Sequence, residues 1–475
     1  MKRVNKARWA FPFIADRQLL VERSVDGTKS VPPWVNAPVR KVISSRPLRQ
    51  GIAFVPVMLT VIGGLEFAIA VQFISGSFIL PLEITLGCVL ISLLLLGCIR
   101  LLSSTDSTRS HRKLNTWELL EREVVPIPTS QASSVLKGQT ILVTGAAGSI
   151  GSELCRQLLD YEPQALIALD INESGLFDLA QSLHSHPYAG CLYPYIGDII
   201  DRQSMSQLFI KHLPQVVFHA AAYKHVPLLE QFPEQAVRTN ILATFNLCRL
   251  AQKHRVTHFA FISTDKAAEP IGVMGATKRV GEMIIRAFSG SEDNVTSFCS
   301  VRFGNVIGSR GSVVPIFAQQ IEQGGPITVT DPDATRYFMT IPEASGLVIL
   351  AAAIADQGEG GLYLLDMGEP VRILDLAIKM TRLHGLRLGQ DISLVFTGLR
   401  PGECLHETLV ASYEELIPTS HSKIFSISHE GSLPTLTMIT QWMEILEHSL
   451  GHESVLQLRG HLFEFVQQEE LIVSS

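Results

Sequence analysis

The sequence predicts an α/β fold: a Rossmann-type doubly wound parallel sheet, preceded by an N-terminal hairpin of two transmembrane helices. Three observations predict it. A β-branched run at 140–144 leads into a turn bearing Gly145, Gly148 and Gly151 and then into a helical pattern over 152–159. Apolar runs of strand length alternate with helical stretches from there to Ser263, the rhythm of a parallel sheet. Ahead of both lie two apolar segments, 52–74 and 79–102, each matching the roughly 20 helical residues that cross a hydrocarbon core.

The membrane segments have an orientation written in their flanks. Residues 1–51 carry eleven Lys or Arg against three acids, the loop 75–78 carries no Lys or Arg, and Arg100, Arg109, Arg112 and Lys113 follow the second segment. Positive charge stays inside, so both termini and the large domain are expected in the cytoplasm, with membrane lipid as a partner. The first apolar segment begins near residue 52, which argues against a cleaved signal peptide. Glu66, near the middle of the first segment, is a functional candidate or a neutral, helix-paired side chain. Residues 103–137 read as a linker with one short amphipathic helix around Trp117, and 138–475 as one α/β unit.

Composition excludes some classes. The net charge of −6 gives no sign of nucleic-acid binding. Seven scattered cysteines form no Cys-x-x-Cys pair and sit near no histidine set, so neither a disulfide framework nor a metal site is expected.

Within the large domain the glycines let backbone N–H groups approach a pyrophosphate, with Ser149 and Ile150 in the turn that starts the helix and the positive helix end facing the phosphates. The next apolar run, 165–169, ends in Asp170, about 20 residues past the glycines, where a carboxylate accepts hydrogen bonds from a ribose 2′-hydroxyl. Its charge repels a 2′-phosphate and no arginine follows closely, which selects NAD over NADP. Asp198, followed by Ile199 after the strand-like run at 195–197, is placed to meet the adenine. Ala220, Ala221 and Ala222 end the fourth strand and leave room for the cofactor, and a helix is expected over 236–253. Ligands of such sheets bind at the carboxyl ends of the strands, so Ser263, Thr264, Asp265 and Lys266 fall at the ligand edge, a proton donor beside an acceptor.

The runs at 144–151, 219–227, 302–306 and 400–403 resemble extended short-chain dehydrogenases. The stretches at 263–268, 273–279 and 335–344 more narrowly resemble the membrane-bound UDP-N-acetylglucosamine 4,6-dehydratases of bacterial polysaccharide biosynthesis, over roughly residues 115–415. The resemblance implies removal of water across carbons 5 and 6 of a UDP-N-acetylhexosamine at the cytoplasmic face of the bacterial inner membrane, by a homo-oligomer. It makes Lys266 the base at carbon 5, given a pKa lowered by burial and by Lys278, and Asp265 the acid for the departing hydroxyl. Thr264 bonds the carbon-4 hydroxyl, and Lys278 holds the nicotinamide ribose with its positive charge. Met274 stands where ordinary family members carry the catalytic tyrosine, which points to retention at carbon 5. Lys224, Asn305, Arg310, Arg336, Arg400 and Glu403 form the implied substrate set: Asn305 on the sugar, Arg310 and Arg336 on the uridine diphosphate, Arg400 with Glu403 on the ribose or phosphates. The resemblance also implies that the chain from about Arg302 onward forms a smaller C-terminal substrate-binding lobe. Two features depart from the pattern: there are two apolar segments rather than four with a further nucleotide-binding-like domain, and Cys404 replaces a lysine. An epimerase of the same fold and a catalytically silent NAD-binding scaffold remain alternatives.

Overall fold

The computed structural model describes residues 42–43, 129–355, 361–429 and 434–474. The predicted membrane hairpin and the helix around Trp117 lie outside them. Among the described residues no helix is long and apolar enough to cross a membrane.

Nine strands form the main sheet: β1 (Thr140–Thr144), β2 (Ala165–Asp170), β3 (Leu192–Ile196), β4 (Val216–His219), β5 (His258–Ile262), β6 (Ser297–Arg302), β7 (Gly361–Leu365), β8 (Glu414–Pro418) and β9 (Ile424–His429), in the order β8-β9-β7-β6-β5-β4-β1-β2-β3. The seven strands from β7 to β3 are parallel, and β9 and β8 add an antiparallel edge. β1, β4 and β6 are buried along their whole length, which is why they carry mostly apolar or small residues without a polar-out alternation, His219 and Arg302 at the ends of β4 and β6 being buried and hydrogen-bonded. The chain reverses direction of winding between β1 and β4, and the crevice that opens there is where ligands of such sheets sit.

The flanking helices are α1 (Ser149–Leu159), α2 (Glu173–Leu183), α3 (Arg202–His212), α4 (Ala243–Lys253), α5 (Val273–Ser289), α6 (Ile341–Ile354), α7 (Leu436–Ser449) and α8 (Val455–Ser474). One apolar layer joins α1, α2 and α6 to the sheet and another joins α3, α4, α5, α7 and α8. Each fully buried aliphatic side chain in these layers contributes about 1.5–3 kcal/mol. Asn172 and Asp201 cap α2 and α3 by accepting from Gly175 N and from Gln203 N and Ser204 N, satisfying N–H groups that the helices leave unpaired.

Three sequence expectations change. The linker ends sooner than residue 137, because Thr129–Leu136 is a helix whose Ala132 and Leu136 are buried in the layer with α6; one apolar pair in a serine-rich octet is too short a pattern to read. The helix expected over 236–253 is interrupted by a π-helical turn, Val237–Leu242, before α4. Finally, the chain beyond Arg302 is not one lobe. β7, β8 and β9 return to the main sheet, α6 packs on α1, and α7 and α8 pack on α5, where Trp442 stacks on Phe465 at 4.9 Å. The smaller lobe is built from Asn305–Ile307, Val313–Glu322, Ile327–Val329, Thr335–Arg336, Phe338–Thr340, Val371–Arg372, Ile373–Leu383 and Leu394–Phe396, with its own apolar cluster around Phe317, Ile327 and Met380.

Candidate active site

The carboxyl ends of β1 and β4 approach each other so closely that only glycine fits between them. Gly145 has φ +70°, and a Cβ there would lie 2.7 Å from Ala221 N; a Cβ on Gly151 would lie 2.1 Å from Gly145 O. Ala220, Ala221 and Ala222 are half-buried beside this turn. α1 starts at Ser149 with Gly148 as N-cap and no side chain capping it, so its first N–H groups face the crevice, as a pyrophosphate requires. Asp170 accepts from Ala147 N at 2.9 Å and from Asn172 N at 2.9 Å, clamping the glycine turn while keeping lone pairs on both oxygens for ribose hydroxyls. Asp198 is exposed at the end of β3 and Ile199 is buried beside it. These residues fit NAD.

Past β5 the chain turns into a short 3-10 helix, Asp265–Ala267, that carries Asp265 and Lys266. Asp265 is 1% exposed; its Oδ1 accepts from Thr264 Oγ1 at 2.8 Å, from Lys266 N at 2.9 Å and from Lys266 Nζ at 2.9 Å. Asp265 Oδ2 accepts from no described residue. Lys266 Nζ has a second carboxylate, Glu407 Oε1, at 3.1 Å, and Glu407 also meets Arg336 Nε at 3.2 Å. Burial pushes Lys266 down, but Asp265 and Glu407 outweigh it and hold the ammonium above its usual value. The expectation that burial and Lys278 would lower this pKa is therefore corrected.

The lowered lysine is Lys278. Burial brings it down to about 7, against an upward pull from Glu282. Its Nζ donates to Ile262 O at 2.8 Å and lies 4.4 Å from the centre of the Phe261 ring. At neutral pH its charge is only partly present, so the permanent cation expected there is corrected too. Met274 lies one turn before Lys278 and packs in the apolar layer under α5, 5% exposed. It fills space where the sequence comparison placed a catalytic position, and its thioether carries no proton.

The substrate set divides. Arg310 reaches the glycine turn, with its N–H on Ser149 Oγ at 3.1 Å and Nη1 on Ala147 O at 3.1 Å, so it borders the cofactor cradle rather than a uridine diphosphate. Lys224 Nζ donates to Arg310 O at 3.0 Å, which ties the loop after β4 to the same place. Arg336 spends its guanidinium on Thr335 O, Leu405 O, Cys404 O and Glu407; it holds the 404–407 segment instead of offering a free fork to phosphate. Arg400 and Glu403 pair with each other, Nη2 to Oε1 at 2.6 Å, with Arg400 largely exposed. Asn305 is half-buried at the start of its strand, paired through its backbone to Tyr337 O. The Cys404 thiol is pushed up to about 12 by burial and by Glu407, so it stays neutral where a lysine was expected.

Four further residues escaped the sequence reading. Glu407 lies seven positions past Arg400, close enough in sequence to have been noticed. Glu282 is one helical turn from Lys278, and it anchors a buried network: Arg302 donates to Glu282 Oε2 at 2.8 Å and to Glu414 Oε2 at 2.7 Å, Arg279 to Glu414 Oε1 at 2.7 Å, and Ser263 Oγ to Glu282 Oε1 at 2.6 Å. Two arginines balance two glutamates there, and the network fixes the residue just before Thr264. His219 bridges Thr144 Oγ1 at 2.7 Å and Thr244 Oγ1 at 2.9 Å, and burial, with Lys278 as a like charge, pushes it to about 3. Asn240, in the π-helical turn, accepts from Tyr223 N and donates to Tyr223 O, which shapes the loop carrying Lys224. Neither His219 nor Asn240 had a local signal, because their partners lie 17 to 75 residues away. Among the described residues no three His, Cys, Asp or Glu side chains converge as metal ligands.

A glycine cradle at the β1–β4 crevice, an acidic end to β2 and a lysine on α5 facing the end of β5 define an extended short-chain dehydrogenase/reductase. The chain belongs to the polysaccharide biosynthesis protein family, whose sequence pattern matches residues 141–429. It is 46% identical over 327 residues to the capsular polysaccharide biosynthesis protein CapD of Staphylococcus aureus, covering 68% of this chain and 54% of that one. The chain thus spans about half the length of that relative. Two enzymes are similar at a greater distance: a UDP-glucose 4-epimerase of Rickettsia canadensis, 33% identical over 279 residues covering 58% of this chain and 78% of that one, and the inverting UDP-N-acetylglucosamine 4,6-dehydratase of Campylobacter jejuni, 30% identical over 322 residues covering 67% and 90%.

Proposed function

We propose that this chain catalyses the NAD-dependent 4,6-dehydration of UDP-N-acetylglucosamine, or of a close UDP-N-acetylhexosamine, with retention at carbon 5, for bacterial surface glycan synthesis. The observation that carries this reading is the Asp265–Lys266 contact of 2.9 Å, set at the end of β5 beside the dinucleotide cradle. Epimerisation at carbon 4 needs no such pair, whereas elimination of water needs both an acid and a base.

Bound NAD supplies a reversible acceptor for the hydride of carbon 4, returned at carbon 6. The carbon-4 ketone acidifies the carbon-5 proton, which Lys266 accepts while Asp265 protonates the hydroxyl leaving carbon 6. At rest the pair is charged the other way, ammonium beside carboxylate. One proton moving along the 2.9 Å hydrogen bond turns it into an amine beside a carboxylic acid, with no change in net charge. Exclusion of water by the sugar favours that step, because desolvation penalises two charges and spares a neutral pair. Lys266 then returns its proton to carbon 5. Thr264, bonded to Asp265, offers the carbon-4 hydroxyl proton a path to solvent, and Asp265 is recharged from the same source. Lys278 is suited to the nicotinamide ribose, and Arg310 with Lys224 to the phosphates at the glycine turn.

The test is incubation of the detergent-purified full chain with UDP-N-acetylglucosamine, followed by mass spectrometry and NMR. A 4-keto-6-deoxy product carrying solvent hydrogen at carbon 5 in the original configuration is expected. UDP-N-acetylgalactosamine without loss of water would make the chain an epimerase, and no product with NAD bound would make it a scaffold. Residues 52–102 are proposed as the membrane hairpin on their sequence alone; extraction of the full chain from membranes by alkaline carbonate would refute it.

A further inference from the structure

The contacts around Lys266 include one carboxylate that the dehydration chemistry leaves unused. Glu407 comes from the segment after the Arg400–Glu403 turn, its side chain is 6% exposed, and its Oε1 stands 3.1 Å from Lys266 Nζ. The same oxygen stands 3.2 Å from Arg336 Nε, so a lysine of the main sheet and an arginine of the smaller lobe share one acceptor. Arg336 is itself held by three backbone carbonyls, two of them, Cys404 O and Leu405 O, in the segment that carries Glu407. Glu407 Oε1 thus already lies between two cations, nearly equidistant from them, and a rotation of its own side chain favours one over the other.

We propose that Glu407 is a positioning residue for the acid–base pair: docked on Lys266 it clamps the ammonium against Asp265, and transferred to Arg336 it releases Lys266 to act as base. The inference rests on the dehydratase reading for its catalytic consequence, but the clamp itself does not. The charged or titratable groups that face Lys266 are Asp265, Glu407, Arg336 and Cys404. Of these Cys404 is neutral, and Asp265 is adjacent in sequence and bonded to both the amide and the amine of Lys266, so it cannot separate from it. Glu407 is the partner able to leave. Its contribution runs in the direction the release requires, since together with Asp265 it raises Lys266 against burial, whereas Arg336 lowers it.

Two variants of the full-length chain test this, Glu407→Gln and Arg336→Gln, with Glu407→Asp as the conservative control. The first readout is the pH dependence of acetic anhydride labelling at Lys266, followed by peptide mass spectrometry, which needs no turnover. Removing an anion at this distance lowers the labelling midpoint of Lys266 by about one pH unit or more in Glu407→Gln. Arg336→Gln raises it, and Glu407→Asp stays near the parent. The second readout is the pH profile of kcat for the keto sugar: its ascending limb moves to lower pH in Glu407→Gln and to higher pH in Arg336→Gln. An unmoved labelling midpoint in Glu407→Gln overturns the proposal, as does a uniform loss of activity at every pH with both limbs in place. A midpoint shifted in Glu407→Gln, when the parent chain itself forms no keto sugar, upholds the clamp and overturns the dehydratase reading instead.

Discussion

Two lysines at the same edge of the sheet, the half-buried Lys266 after β5 and the buried Lys278 on α5, are driven in opposite directions. Lys266 sits between two carboxylates and is held above its usual value; Lys278 sits over an aromatic ring, donates to a backbone carbonyl, and falls to about 7. Burial pushes both down, so burial does not decide their state. The count of anions in direct contact does: Asp265 and Glu407 touch Lys266, whereas Glu282, the anion near Lys278, is occupied by Arg302 and Ser263. One site thereby holds a cation to balance an acid and a second amine able to titrate near neutrality.

Breaking this contrast at Lys266 has the largest expected effect. Lys266→Met, or Asp265→Asn, is expected to lower formation of the keto sugar by roughly 10²–10⁴-fold while NAD binding, read by fluorescence, is retained. Unchanged turnover in either variant would remove the pair from the mechanism.

Stability separates the two lysines by sign. Lys266→Met leaves the buried Asp265 carboxylate without its cation, while Glu407 keeps Arg336, and is expected to destabilise the folded domain by up to about 3–5 kcal/mol in urea melts. Lys278→Met removes a buried amine that resists protonation and is expected to stabilise it at neutral pH. The pH dependence follows from the same shift. Between about 7 and 10.5 the unfolded chain binds a proton at Lys278 that the folded chain does not, so the Lys278 contribution to stability rises with pH across that window. The advantage of Lys278→Met should accordingly be greatest near pH 7 and below, and vanish towards pH 10.5; an advantage independent of pH would mean that Lys278 is charged in the folded chain.

The smallest effect concerns the ring beneath Lys278. Phe261→Leu removes the cation–π contact, worth about 0.5–2 kcal/mol to the protonated form, and should lower the Lys278 midpoint further by about 0.4–1.5 pH units. A rise would show that the ring acts mainly by excluding water.

The cofactor half was legible in the sequence and most of the substrate half was not. Gly145, Gly148, Gly151, Asp170 and the alanines at the end of β4 work through backbone shape and strand ends, which chain order dictates over some 30 residues, and they came together as expected. The arginines are different. The resemblance assigned Arg336 to the uridine diphosphate and Arg400, with Glu403, to the ribose or phosphates; in the structure the first donates to carbonyls near position 405 and the second pairs with Glu403. An arginine fork binds carbonyls and carboxylates as well as phosphates, so type alone does not choose. Arg310 went to the glycine turn because the loop after Ile307 crosses back over α1.

By itself the sequence determined the parallel sheet, the dinucleotide cradle and the presence of Asp265 beside Lys266, because strand burial, glycine turns and adjacent residues are local properties of the chain. Only the tertiary structure decided which lysine is charged, that Glu407 closes on Lys266, and that Arg279, Glu282, Arg302 and Glu414 neutralise one another under the site. Those outcomes depend on charges brought within 4 Å across as many as 141 residues of chain, where Coulomb energy and desolvation nearly cancel and a single neighbour sets the sign.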